Sequence, residues 1–115
     1  MSFSAVWTEE AAGSYHDLRA RAQSALESRK KSKKKSSRQE GLFKQVKKCV
    51  DLILENPRHP GLNTHEFKSL ANPYNDKEKV FEAYAQQKTS AAYRVFWCYG
   101  PEKGEITILA ITPHP

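Results

Sequence analysis

The hydrophobic period of the chain changes once, near Pro57, and this change restricts the fold more than any other feature of the sequence. Before that point, apolar residues recur at intervals of three and four, as on the buried face of an α-helix. After residue 79 they alternate in the manner of β-strands. Such an order predicts an α+β domain, with the helices packed on one face of an antiparallel sheet of about four strands.

Two helices are expected before the change. The first follows a strand candidate at residues 3–7, and Thr8 is placed as its N-cap ahead of two glutamates. The second is predicted over Gly41–Glu55, because Asn56-Pro57 ends its apolar stripe. These helices flank a basic segment, which suggests an antiparallel hairpin with a basic turn at about residues 28–40. The predicted core contains Trp7, Leu18, Val46, Ile53 and Val95.

Three strand candidates follow a loop rich in proline, asparagine and glycine at residues 56–77. They are KVFEAYAQ, AYRVFWCY and EITILAIT, and GPEKG between the last two is typical of a tight hairpin. In the middle strand, the alternation places Val95 and Trp97 on one face and Arg94, Phe96 and Cys98 on the other. We expect the first face to pack on the helices and the second to be only partly covered.

Length and charge set the class of protein. The 115 residues suffice for one domain, which we place at residues 1–115. The net charge of +6 is local, because seven of the 19 basic residues lie in the segment SRKKSKKKSSR. The remaining 12 nearly balance the 13 acidic residues. Such a segment is either a solvated turn or an arm that contacts phosphates, with Lys33, Lys34 and Lys35 at its centre.

The sequence lacks the usual signals of several other function classes. The chain has no glycine-rich phosphate loop, no CxxC pair and no HExxH, so we expect neither a cofactor nor a metal ion. No apolar run is long enough to span a membrane, and no export signal is recognised, so a cytoplasmic protein is expected. The same reasoning favours reduced, buried thiols at Cys49 and Cys98 over a disulfide.

Three stretches together resemble the bacterial RelE/ParE toxin superfamily of type II toxin-antitoxin systems. They are LFKQVKKCVDLILENPRHPGLNTHEFKSL, AYRVFWCY and ITILAITPHP, and they cover roughly residues 40–115. In that superfamily a helix ends at a comparable loop, a strand carries a "YR" pair, and the chain commonly finishes in a histidine motif. The resemblance implies the RelE-like fold and a cognate antitoxin as partner.

The RelE, YoeB and YafQ branch implies a metal-independent endoribonuclease that cuts mRNA on the ribosome by attack of the 2'-hydroxyl. Such a reaction needs a base, a cation on the phosphorane and an acid for the leaving oxygen. The resemblance places the strand arginine at Arg94 and the terminal histidine at His114. It places the base at His65 or Glu66, and a second cation at Lys68.

Two alternatives remain open at this stage. A ParE-like member shares the fold, inhibits DNA gyrase and has no nuclease chemistry, so Arg94 would be structural and His114 incidental. A toxin-like binding domain that has lost its activity is the other alternative. Taken together, His65, Arg94 and His114 favour the nuclease.

Overall fold

The computed structural model describes residues 2–32 and 37–114. Two helices pack on one face of a five-stranded sheet, which confirms the predicted α+β class. The elements in chain order are β1 (Ser4–Trp7), α1 (Glu9–Ser32), α2 (Arg38–Glu55), a 3₁₀ turn (Pro60–Leu62), β2 (His65–Glu66), β3 (Phe81–Tyr84), β4 (Tyr93–Tyr99) and β5 (Glu105–Pro113).

The sheet differs from the prediction in strand number and direction. Its order is β1-β5-β4-β3-β2, and β1 runs parallel to β5 while the other pairs are antiparallel. The sheet is therefore mixed, rather than an antiparallel sheet of about four strands. The additional strand, β2, has two residues and lies inside the predicted loop. A strand of two residues is too short to produce a recognisable alternation.

The first helix begins where the sequence predicts. Thr8 Oγ1 accepts a hydrogen bond from the backbone N–H of Ala11 at 3.1 Å, as an N-cap does. The same hydroxyl donates to the carbonyl oxygen of Leu109 in β5 at 2.8 Å. One side chain thus caps α1 and links it to β5.

The second helix ends at Glu55 as predicted but begins at Arg38, three residues before Gly41. Ser37 and Glu40 form a capping box, in which each side chain accepts a hydrogen bond from the other residue's backbone N–H. The Glu40 carboxylate also accepts from Arg29 Nε of α1 at 2.8 Å. The two helices are therefore linked by an ion pair near the basic segment. Lys33, Lys34 and Lys35 lie outside the described residues.

The core lies between the helices and the sheet. Leu18, Val46, Ile53 and Val95 are buried in it, as predicted. Trp7 is only half-buried and packs at its margin against the ring of Tyr15, with the centroids 4.9 Å apart. Trp7 belongs to an edge strand, so one side of its ring has no strand to cover it.

Both cysteines are free and buried, which confirms the prediction of reduced thiols. Cys49 belongs to the apolar cluster between helices and sheet, and Cys98 to a second cluster on the opposite face of the sheet. The sheet therefore separates the two thiols.

None of the helices in the described part of the chain combines the length and apolarity that a membrane crossing requires.

Candidate active site

The face of the sheet that the helices leave uncovered, called here the open face, carries the candidate site. Its residues follow from the strand register. His65 pairs with Glu82 across β2 and β3, and Tyr84 pairs with Arg94 across β3 and β4. Directly paired residues project to the same side of a sheet, and so do residues two apart on one strand. We call His65, Glu82, Tyr84 and Arg94 the open-face cluster.

Arg94 is the centre of this cluster, and it is buried. Its exposed fraction is 8%, and its Nη1 donates to Glu82 Oε2 at 2.7 Å. The guanidinium carbon lies 4.9 Å from the centroid of the Phe96 ring and 5.9 Å from that of the Phe67 ring. Aromatic contact and the carboxylate together hold the guanidinium in one place. The open face is therefore partly covered, as predicted, and Arg94 lies in its covered part.

The ion pair with Glu82 determines how much charge and which hydrogen-bond donors Arg94 presents to a ligand. Glu82 is itself only 8% exposed, so its carboxylate and the guanidinium largely neutralise each other in a region with little water. Arg94 Nε is buried and has no hydrogen-bond partner within residues 2–32 and 37–114. A guanidinium has five N–H donors. A phosphate at this site would therefore compete with Glu82 for Nη1 or engage the donors that Glu82 does not hold.

His65 lies at the edge of the cluster and is exposed. Its ring meets that of Tyr84 edge to face, with the centroids 5.9 Å apart. The structure therefore brings His65 to the same face as Arg94, with Glu82 between them in the sheet. The exposed imidazole of His65 is therefore accessible to a substrate that approaches from the solvent, and it lies near an arginine whose charge is balanced by Glu82.

Glu66 and Lys68 are not part of this cluster. Glu66 pairs with Phe81, whose ring stacks on Trp97 on the helix side of the sheet. Both residues are exposed, and both alternate with Phe67, which packs on the open face. The structure thus places Glu66 on the opposite face of the sheet from Arg94 and His65 on the same face as Arg94.

His114 follows directly after β5. Its backbone N–H donates to the carbonyl oxygen of Ala92 at 2.9 Å, so the pairing of β5 with the chain before β4 continues to this residue. Thr112, two positions earlier, is the cross-strand partner of Arg94. The alternation of β5 therefore places His114 on the side of Arg94, at the end of the sheet. Its side chain is exposed.

Glu82 and Tyr84 belong to this site but were not predicted from the sequence. The signal was present, because Glu82 is the one acidic residue among the apolar positions of the KVFEAYAQ strand. An acid in a strand and an arginine in the next strand are candidates for a cross-strand pair.

In the described ranges, no group of three or more histidine, cysteine or acidic side chains is placed to hold a metal ion.

Two solved structures of bacterial proteins share the fold of two helices packed on a mixed sheet. A YoeB/ParE toxin from Agrobacterium tumefaciens has this fold, with a TM-score of 0.62 and 8% identity over 97% of this chain and 99% of that one. A YoeB dimer from Staphylococcus aureus gives a TM-score of 0.57 and 10% identity, with each chain covered completely. The predicted RelE/ParE resemblance is thus confirmed for the fold.

No protein-family model matches the sequence, and no curated protein matches it either.

Proposed function

We propose that the protein is the toxin of a type II toxin-antitoxin system and acts as a metal-independent endoribonuclease on mRNA at the ribosome. The observation that carries the proposal is the placement of His65, Arg94 and His114 on one side of the sheet. The fold, shared with YoeB and ParE toxins, supports the toxin class. A cognate antitoxin, mRNA and the ribosome are the partners that this function requires.

The proposed reaction is an internal transesterification. A base removes the proton of a ribose 2'-hydroxyl, and the 2'-oxygen attacks the adjacent phosphorus. The bond to the 5'-oxygen breaks, and an acid protonates that oxygen, which leaves a cyclic phosphate and a 5'-hydroxyl. His65 is assigned as base and His114 as acid, since imidazole exchanges protons near neutral pH. Arg94 is assigned to the negative charge of the phosphorane.

Glu82 sets a condition on this mechanism. The guanidinium is already neutralised by a carboxylate at 2.7 Å. The phosphorane carries more negative charge on its equatorial oxygens than the ground-state phosphate does, so it competes better with Glu82 for the guanidinium. An interaction that strengthens only in the transition state accelerates the reaction. Glu82 therefore keeps the Arg94 guanidinium ordered and balances its charge until the phosphate arrives.

In vitro cleavage of an mRNA, with and without ribosomes, tests the proposal. We expect His65→Gln and His114→Gln to lower the rate by about a hundredfold or more, as removal of a general acid or base does. Arg94→Lys should retain only part of the activity, because an ammonium keeps the charge and loses the planar donor set. His16→Gln is the matched control, since His16 is an exposed histidine on α1. Equal cleavage by all four variants contradicts the assigned site, and no cleavage by the parent protein contradicts the nuclease.

One observation favours a second candidate, a ParE-like inhibitor of DNA gyrase. Arg94 is buried and compensated by Glu82, as a residue with a purely structural role would be. If that role is the only one, Arg94→Lys and the two histidine variants remain toxic when folded. A gyrase supercoiling assay then shows inhibition by the parent and the variants alike, and mRNA stays intact. If the folded variants lose both growth arrest and mRNA cleavage, this result contradicts the gyrase alternative.

A further inference from the structure

A pocket of about 540 Å³ opens on the helix side of the sheet and is separate from the open-face cluster. Three aromatic residues line it, Phe81 of β3 and Trp97 and Tyr99 of β4. The remaining lining comes from Lys79 and from residues 57–60, 63 and 64 of the segment that connects α2 to β2. The volume is typical of small-ligand sites. No residue proposed for catalysis lines this pocket.

The aromatic wall is rigid and partly accessible. Phe81 stacks on Trp97, with the centroids 4.8 Å apart and the planes at 27°. Tyr99 meets Trp97 edge to face at 5.1 Å, and 43% of Tyr99 is exposed. The rings of Phe3, Phe81 and Trp97 all contact that of Tyr99. A partly exposed tyrosine ring held in this way is a stacking platform for a flat ligand, since little side-chain freedom is lost on binding.

The charge of the pocket is positive. Arg58 and Lys79 line it, both are exposed, and neither forms an ion pair with another described residue. No acidic side chain is among the lining residues. The carbonyl end of α2, which terminates at Glu55, carries a partial negative charge beside Arg58, and the two cations more than offset it. The pocket therefore suits an anion.

Two buried polar atoms at the pocket have no hydrogen-bond partner in the described part of the chain. They are the hydroxyl Oγ1 of Thr64 and the indole Nε1 of Trp97. An unsatisfied buried polar group is costly, so such groups are rare in folded proteins. Both atoms belong to residues that line the pocket, so a ligand whose acceptor atoms reach them would satisfy both.

We propose that this pocket binds one nucleotide of a single-stranded RNA. The base stacks on Tyr99 and accepts hydrogen bonds from Trp97 Nε1 and Thr64 Oγ1, and the phosphate is held by Arg58 and Lys79. Cationic side chains beside aromatic rings form the sites that bind single-stranded nucleic acids.

The position of the pocket relates it to the candidate active site. Thr64, which lines the pocket, and His65, on the open face, are consecutive residues at the edge of the sheet. An RNA chain that crosses this edge places one nucleotide in the pocket and a neighbouring phosphate beside His65. This inference rests on the proposed ribonuclease function, and it makes the pocket a specificity subsite next to the scissile bond.

A binding experiment tests the pocket without cleavage. The probe is a fluorescein-labelled 2'-O-methyl RNA hexanucleotide, which lacks the nucleophilic hydroxyl, and affinity is measured by fluorescence anisotropy. We expect the double variant Arg58→Gln/Lys79→Gln to raise the dissociation constant about tenfold or more, because it removes two charge-assisted hydrogen bonds to the phosphate. The control Arg19→Gln/Lys44→Gln removes the same charge from exposed helix positions and should change it less than twofold.

Thr64→Val separates binding from folding. Valine has the shape of threonine without the hydroxyl, so the free protein should melt at a higher temperature once the unsatisfied group is removed. RNA binding should weaken severalfold, because the ligand loses a partner. Tyr99→Leu should also weaken binding several- to a hundredfold, within the range found for base–aromatic stacking.

The outcomes that overturn the inference are distinct from those that overturn the nuclease. No measurable RNA binding, or equal loss in the pocket variant and the control, shows that the pocket is not an RNA site. Hexaglutamate that binds as tightly as RNA, and is weakened by the same variants, identifies an acidic-peptide pocket instead. RNA binding without mRNA cleavage supports the pocket as an RNA site and refutes the nuclease. Cleavage of mRNA by a protein whose pocket variants bind RNA as tightly as the parent supports the nuclease and refutes the pocket as an RNA site.

Discussion

Replacing Arg94 by methionine is expected to destabilise the protein more than any exposed charge substitution. The Arg94 and Glu82 side chains are 10% and 11% exposed, and their charged atoms are 2.7 Å apart. Removal of Arg94 leaves a buried carboxylate without a counter-ion, which costs about 3 to 5 kcal/mol. For a domain of this size that lowers the melting temperature by roughly 12 to 20 °C, at about 4 °C per kcal/mol.

The double replacement Glu82→Leu/Arg94→Met should recover most of this loss. It removes both buried charges, and substitution of a buried ion pair by apolar residues is often close to neutral. A residual loss of about 1 kcal/mol is expected from the interactions that the guanidinium makes with the Phe96 and Phe67 rings. The coupling free energy between the two positions should therefore be at least about 3 kcal/mol.

A matched control is available in α2. Lys47 and Asp51 also have their charged atoms 2.7 Å apart, but their side chains are 55% and 57% exposed. The coupling in this pair should be close to zero, because water screens the interaction between exposed charges. Both double-mutant cycles are measured by urea unfolding followed by circular dichroism. If the two cycles give equal, small coupling free energies, burial does not strengthen the Arg94–Glu82 ion pair and the prediction is wrong.

Two further predictions concern the thiols and the basic turn. Burial raises the pKa of the Cys49 thiol to about 12 and that of the Cys98 thiol to about 11, so neither should react with a disulfide reagent at pH 8 until the protein is unfolded in urea. Rapid modification of one thiol in the folded protein contradicts this. Alanine at residues 33–35 should weaken ribosome binding and reduce its salt slope by about 0.7 to 0.9 log units for each phosphate that the variant no longer neutralises, with little change in stability. Unchanged binding at low salt indicates a solvated turn.

Apart from β2, the order of helices and strands follows from the sequence alone. The positions of α1, α2, β4 and β5 come from apolar spacing and from the residues that begin or end an element, such as Thr8 and Asn56-Pro57. The separation of Val95 from Arg94 onto opposite faces is equally local, since it depends only on the twofold alternation of a strand. These features depend on residues a few positions apart, so a sequence contains them.

The partners of these residues were decided by the tertiary structure. Arg94 meets Glu82 because the β3–β4 register places Tyr84 opposite Arg94, and a shift of one residue would send either side chain to the other face. The direction of β1 depends on its pairing with β5, which lies about a hundred residues later in the chain.

The pocket beside Trp97 depends on the tertiary structure in the same way. Its lining comes from the loop after α2, from β3 and from β4, and no local pattern connects these three segments. Periodicity reports which face of an element is buried. Register and packing across long stretches of chain decide what each buried group meets, because they arise from interactions between residues far apart in sequence.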